Sequence, residues 1–131
     1  MSDTPYTLHG GAPAPEAAPV LDAERLEVYH VAVEFQAVAA QLALRCDSVT
    51  RDQLRRASLS VVLCIAEGAG QNSRAQKRRL YGIARGSAME CAALLDVLRV
   101  RAAAEPSECL RGRALVIRVV QMLTRLDQAM R

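Results

Sequence analysis

The chain has 131 residues, 51% of them hydrophobic but only 3% aromatic and none tryptophan, so a single domain must build its core from Ala, Val and Leu. That makeup disfavours an all-β fold, which leans on aromatic and β-branched residues, and predicts an all-α one. The net charge of +3 is uneven: residues 1–50 carry seven acids and two bases, a balance of −5, whereas residues 51–131 carry seven acids and fifteen bases, a balance of +8.

Residues 1–21 read as a flexible Pro/Ala/Gly-rich tail, since Pro5, Pro13, Pro15 and Pro19 interrupt any helix and little there can be buried. No secretory pattern opens the chain and no apolar run approaches the ~18 residues of a membrane span, which predicts a cytoplasmic protein with no membrane partner. Residues 22–131 form the domain. Helix one is expected over Asp22–Leu44, capped by Asp22, with Val28, Val31, Phe35, Val38 and Leu42 as a bundle seam. Helix two is expected over Arg51–Glu67, with Leu54, Ala57, Val61 and Ile65 on its apolar face. Gly68 is placed to stop that helix in the left-handed conformation, and Gly70 to complete a tight turn. Ser73 followed by Gln76 reads as a capping box that opens helix three, which runs to about Ala103 along Leu80, Ala84, Cys91, Leu94 and Leu98. Gly82 and Gly86 lie inside it, each costing ~1 kcal/mol against alanine, and so predict close packing by another backbone. Pro106 ends the connection, and helix four follows over Ser107–Met130 with Leu115, Val119, Met122 and Leu126 inward. Four helices with three short connections imply an up-down-up-down antiparallel four-helix bundle.

The chemistry-bearing stretch is IAEGAGQNSRAQKRR, Ile65 to Arg79. It lacks the GxxxxGK[ST] spacing and the preceding strand of a phosphate loop. Glu67 has no histidine or metal-ligand cluster near it in sequence, so the chain is read as non-enzymatic, with no cofactor and no metal. Cys46, Cys64, Cys91 and Cys109 are scattered without a CxxC pair and read as small hydrophobes.

Two surfaces stand out. Gln53, Arg56, Ser60 and Glu67 share one side of helix two, and Ser87 and Glu90 one side of helix three, with Arg56 placed to pair with Glu90. They are either a solvated face or a structural polar network at a helix or subunit boundary. Arg74, Lys77, Arg78, Arg79 and Arg85 crowd the first half of helix three, and Arg111, Arg118 and Arg125 repeat every seven residues on helix four. Such cations attract phosphate backbones, and the scarcity of aromatics favours folded or duplex RNA over stacked single strands. Cations near the start of helix three also oppose its dipole, a hint of an external anionic partner.

The segments QLRRASLSVVLCIAEGAGQNS, Gln53 to Ser73, and ARGSAME, Ala84 to Glu90, together with LEVYHVA, Leu26 to Ala32, resemble the four-helix-bundle family of 23S rRNA intervening-sequence proteins. The resemblance covers about residues 24–130. Cys64 stands where that family usually has Asn, and Gln71 where it usually has a basic residue. The resemblance implies a small cytoplasmic bundle that assembles with itself as a ring-shaped homo-oligomer, commonly a homopentamer. A related branch, the accessory variability determinant proteins of diversity-generating retroelements, implies an alternative: a basic accessory subunit that binds a reverse transcriptase and its RNA. The combined expectation is a non-enzymatic oligomeric bundle that binds RNA or a ribonucleoprotein through the basic surface of helices three and four. A purely structural bundle is the third possibility.

Overall fold

The computed structural model describes residues 19–131, so residues 1–18 of the expected tail lie outside the described part. A short 3-10 turn, Asp22–Arg25, precedes four helices: α1 Glu27–Ala43, α2 Ser48–Ala69, α3 Arg74–Val100 and α4 Pro106–Ala129. No strand occurs among the described residues. Each helix packs on the next, and α4 packs back on α1, which closes the bundle. Cross-helix pairs give the directions. Arg56 meets Glu90 and Ser60 meets Ser87, so α2 and α3 are antiparallel. Arg78 meets Asp127 and Arg113 meets Asp96, so α3 and α4 are too.

The core follows the apolar periods. Val28, Val31, Phe35, Val38 and Leu42 of α1 are all buried, as are Leu54, Ala57, Val61 and Ile65 of α2. On α3 Leu80, Ala84, Cys91 and Leu98 are buried, whereas Leu94 is half-buried and Leu95 takes the interior place beside it. On α4 Leu115 and Val119 are buried but Met122 and Leu126 only partly; Val116 and Leu123 fill the centre instead. Burial pushes the Cys91 thiol up to about 12, which leaves it a packing group without nucleophilic character.

The termini differ from the sequence expectation in informative ways. Helix one does not start at Asp22. The 3-10 turn ends at Leu26, whose extended backbone (φ −101°, ψ 124°) breaks the run before α1 begins. The Leu21 N–H donates to Glu24 Oε1 at 2.8 Å, which holds that turn. Helix two starts three residues early, because Asp47 caps it by accepting the Thr50 N–H at 2.8 Å. It also ends later, at Ala69, and no described glycine has positive φ. The expected left-handed stop at Gly68 is therefore wrong: Gly68 is helical and buried, and Gly70 ends the helix in a right-handed conformation (φ −84°, ψ −4°). Ser73 does cap α3 by accepting the Gln76 N–H at 3.2 Å, but the Gln76 side chain accepts from Arg79 Nε instead of reaching back. The left-handed residue of the chain's described part is Ala102, with φ 55°, just after α3. There Ala103 N–H returns to Leu98 O at 3.0 Å and closes the helix end.

Gly68 is needed for packing. A Cβ there would lie 2.7 Å and 2.9 Å from Cε1 and Cδ1 of the buried Tyr81 ring, and 3.3 Å from Leu80 Cβ. Gly68→Ala should therefore lower the melting temperature by a few degrees. Overpacking of about 1–3 kcal/mol outweighs the ~1 kcal/mol of helix propensity gained. Calorimetry checks this directly, and an unchanged or higher melting temperature would show that the α2–α3 contact has slack.

Candidate nucleic-acid interface

Residues 74–131, which include α3 and α4, hold twelve bases against five acids, a balance of +7, while residues 1–73 hold five bases against nine acids. The positive charge of the chain is thus concentrated in the half that holds α3 and α4. The eight cations singled out from the sequence divide into those that serve the fold and those that face outward.

Lys77 serves the fold. Its Nζ donates to Ala69 O at 2.8 Å and Gly68 O at 3.3 Å, so it satisfies carbonyls at the C-terminus of α2. Arg78 is half-exposed, and its Nε donates to Asp127 Oδ1 at 2.9 Å. The hydrogen bond from Arg78 holds the Asp127 carboxyl below the usual carboxylate range, and the same bond raises Arg78. Asp127 is thus an anionic partner for Arg78 within the chain, and Lys77 is occupied by α2 carbonyls, whereas Arg74 and Arg79 form no ion pair among the described residues. Arg85 Nε donates to Thr124 Oγ1 at 2.8 Å, and Thr124 passes its own hydrogen to Val120 O at 2.8 Å. Arg118 Nη2 reaches Glu27 Oε2 at 3.2 Å on α1. Arg79 bonds only its helix neighbour Gln76, at 3.0 Å. Arg74, Arg111 and Arg125 are exposed and form no ion pair among the described residues.

The heptad spacing on α4 does make one stripe, on the edge towards α1. Arg118 bridges to Glu27, and Arg125 lines a shallow hollow with Leu26, Val28 and Met122. Arg78 and Arg85 lie on the opposite edge of α4, at its seam with α3. The two groups therefore flank the outer face of α4 and do not merge.

The polar residues of α2 and α3 meet as two small clusters. Arg56 Nη2 donates to Gln53 Oε1 and lies 3.8 Å from Glu90 Oε2. One turn on, Ser87 Oγ donates to Ser60 Oγ at 2.9 Å, and Ser60 lies 3.8 Å from Cys64 Sγ. Glu67 joins neither: it is exposed at the end of the row, without an ion pair among the described residues.

Gly82 and Gly86 are exposed, and a Cβ on either would meet nothing within 4 Å. The neighbour expected from them is not supplied by the described residues. The close-packing glycine that sequence reasoning missed is Gly112, whose Cβ would fall 2.7 Å from Leu95 Cδ2 and 3.0 Å from Val38 Cγ1. Asp127, Thr124 and Arg131 were also missed. An acid isolated among arginines near the end of helix four was the available signal for Asp127.

Among the described residues no group of His, Cys, Asp and Glu side chains is arranged to hold a metal, and no helix is long and apolar enough to cross a membrane. The sequence matches, over residues 24–125, a protein-family model described as 23S rRNA-intervening sequence protein. A comparison with curated proteins gives no match.

Proposed function

The chain belongs to the 23S rRNA-intervening sequence protein family, and from that premise we propose that it is a non-enzymatic, self-assembling bundle that binds folded or duplex RNA through the basic surface of α3 and α4. The observation that carries this reading is the concentration of twelve bases against five acids in residues 74–131. Arg74, Arg111 and Arg125 are left exposed there without an ion pair among the described residues. Exposed guanidinium groups with nothing of the fold to neutralise them suit a polyanion whose counterions are released on binding.

The test is a filter-binding titration of a labelled RNA duplex at two salt concentrations, with the protein and its Arg111→Ala/Arg118→Ala/Arg125→Ala variant. The variant should bind at least about tenfold more weakly, and the slope of log affinity against log salt should fall by about 3. Equal affinities, or binding indifferent to salt, would defeat the reading.

Self-assembly is supported by the outward face of α3. Ala75, Gly82, Gly86 and Ala93 recur there at steps of 7, 4 and 7, flanked by exposed Ile83, Met89 and Val97. A helix face of small and apolar residues lets another helix approach closely. Gly86→Leu meets no clash among the described residues, so its melting curve at low concentration should stay close to that of the parent protein. Its mass by light scattering should fall to that of a smaller species. A variant of unaltered assembled mass would remove α3 as the contact.

A further inference from the structure

A cleft of about 280 Å³ runs between α3 and α4, lined by Tyr81, Gly82, Arg85, Leu123, Thr124, Asp127 and Arg131. Arg85 and Arg131 line it, and a third guanidinium, that of Arg78, is bonded to Asp127 of its wall. Each is fixed through Nε: Arg78 on Asp127 Oδ1 at 2.9 Å, Arg131 on Asp127 Oδ2 at 3.2 Å and Arg85 on Thr124 Oγ1 at 2.8 Å. None of their terminal nitrogens donates a hydrogen bond among the described residues. An arginine whose direction is set through Nε while its Nη donors stay unassigned is preorganised for a second, planar acceptor. Gly82 lines the cleft without a side chain, and no described atom lies within 4 Å of where its Cβ would be, so this edge is open in the single chain. One carboxylate stands against three cations, so the cleft keeps an excess positive charge.

We infer that this cleft is a phosphate subsite of the α3–α4 surface, and that Asp127 is its internal competitor: it holds Arg78 and Arg131 in place and weakens the phosphate that joins them. The ligand chemistry is a phosphate group with two free oxygens, supplied by an RNA backbone or by a free polyphosphate. The inference rests on the RNA-binding reading above only for the first of these sources. The observation behind it is separate from the arginine stripe of α4, which lies on the other edge of that helix.

Asp127→Asn tests competition while keeping the support of Arg78. The amide removes the charge and keeps an oxygen that accepts from Arg78 Nε, while its NH2 replaces the oxygen that accepts from Arg131 Nε. A unit charge ~5 Å from a phosphate, in water-like surroundings, changes affinity about three- to fivefold. The protein, Asp127→Asn and Asp127→Asn/Arg85→Gln are titrated with a labelled RNA duplex, and separately with inorganic pyrophosphate while the arginine Nε–H resonances are followed by NMR. Asp127→Asn should bind both ligands about three- to fivefold more tightly. Pyrophosphate should shift the Arg78, Arg85 and Arg131 signals, and adding Arg85→Gln should abolish the gain. Pyrophosphate binding at these signals without any RNA binding would uphold the subsite for free phosphates and reject the RNA reading. RNA binding that Asp127→Asn leaves unchanged or weakens would overturn the competitor role. The subsite falls if pyrophosphate moves none of the three signals.

Discussion

Gly112→Leu is expected to lower the unfolding free energy by more than about 3 kcal/mol, the upper end of ordinary overpacking. Gly112 is buried where α4 meets α1 and α3. A Cβ alone would sit 2.7 Å from Leu95 Cδ2, 3.0 Å from Val38 Cγ1 and 3.4 Å from Phe35 Cε1. Three neighbours from two different helices close on the site, and Val38, Phe35 and Leu95 are themselves buried. Leucine adds three further carbons where the first already has no room, so α4 must move off both partners. Against a typical total stability of about 5–15 kcal/mol, that loss removes a large share of the folded population. Urea unfolding followed by circular dichroism reads it as a lower midpoint at an unchanged slope. Gly112→Ala is the milder control, since a leucine methyl can yield by rotation. A Gly112→Leu protein with the parent midpoint would mean that α4 does not pack as described.

The four interior glycines show how far the sequence could be read. Gly68 and Gly112 continue the apolar lines of their helices: Gly68 follows Leu54, Ala57, Val61 and Ile65, and Gly112 precedes Val116, Val119 and Leu123. Both are buried against neighbouring side chains. Gly82 and Gly86 fall off the line of Leu80, Ala84 and Cys91, and both face outward. Register, more than mere presence in a helix, separates a glycine that admits a neighbour within the bundle from one that does not. Reading Gly68 as a helix stop weighed its local conformational freedom and missed its place in the stripe. The helix runs on because Tyr81 covers that spot, a contact that no local propensity contains.

The number of helices and most of the core were legible because amphipathic periodicity is local, and burial follows it. Boundaries were not, because caps decide them. Asp47 moved the start of α2 by three residues, and a backbone break at Leu26 delayed α1. The cationic character of residues 74–131 was equally plain. What composition could not show is how the fold uses its own acids and carbonyls. Lys77 is taken up by the end of α2, and Arg118 by Glu27, 91 positions away. Arg56 and Glu90 were correctly placed opposite each other because helical register predicts facing pairs once two helices are known to be neighbours.

Phe35→Ala is expected to cost about 3–5 kcal/mol, because the side chain is large and its surroundings are too small to collapse after it. It is the chain's one phenylalanine and is 2% exposed. Beside it under Gly112 lie Val38 and Leu95, aliphatic side chains that do not fill the volume of a lost ring. Its ring lies beneath Gly112, and the missing side chain of Gly112 is what lets α4 descend onto it. Phe35→Ala and Gly112→Leu should therefore be non-additive. Removing the ring opens room for the side chain that Gly112→Leu introduces, so the double variant should be more stable than the sum of the single losses by about 0.5–3 kcal/mol. A double-mutant cycle from urea unfolding measures that difference. A coupling energy of zero would mean that the ring and the glycine do not share one space, and the packing of α1 against α4 would need another explanation.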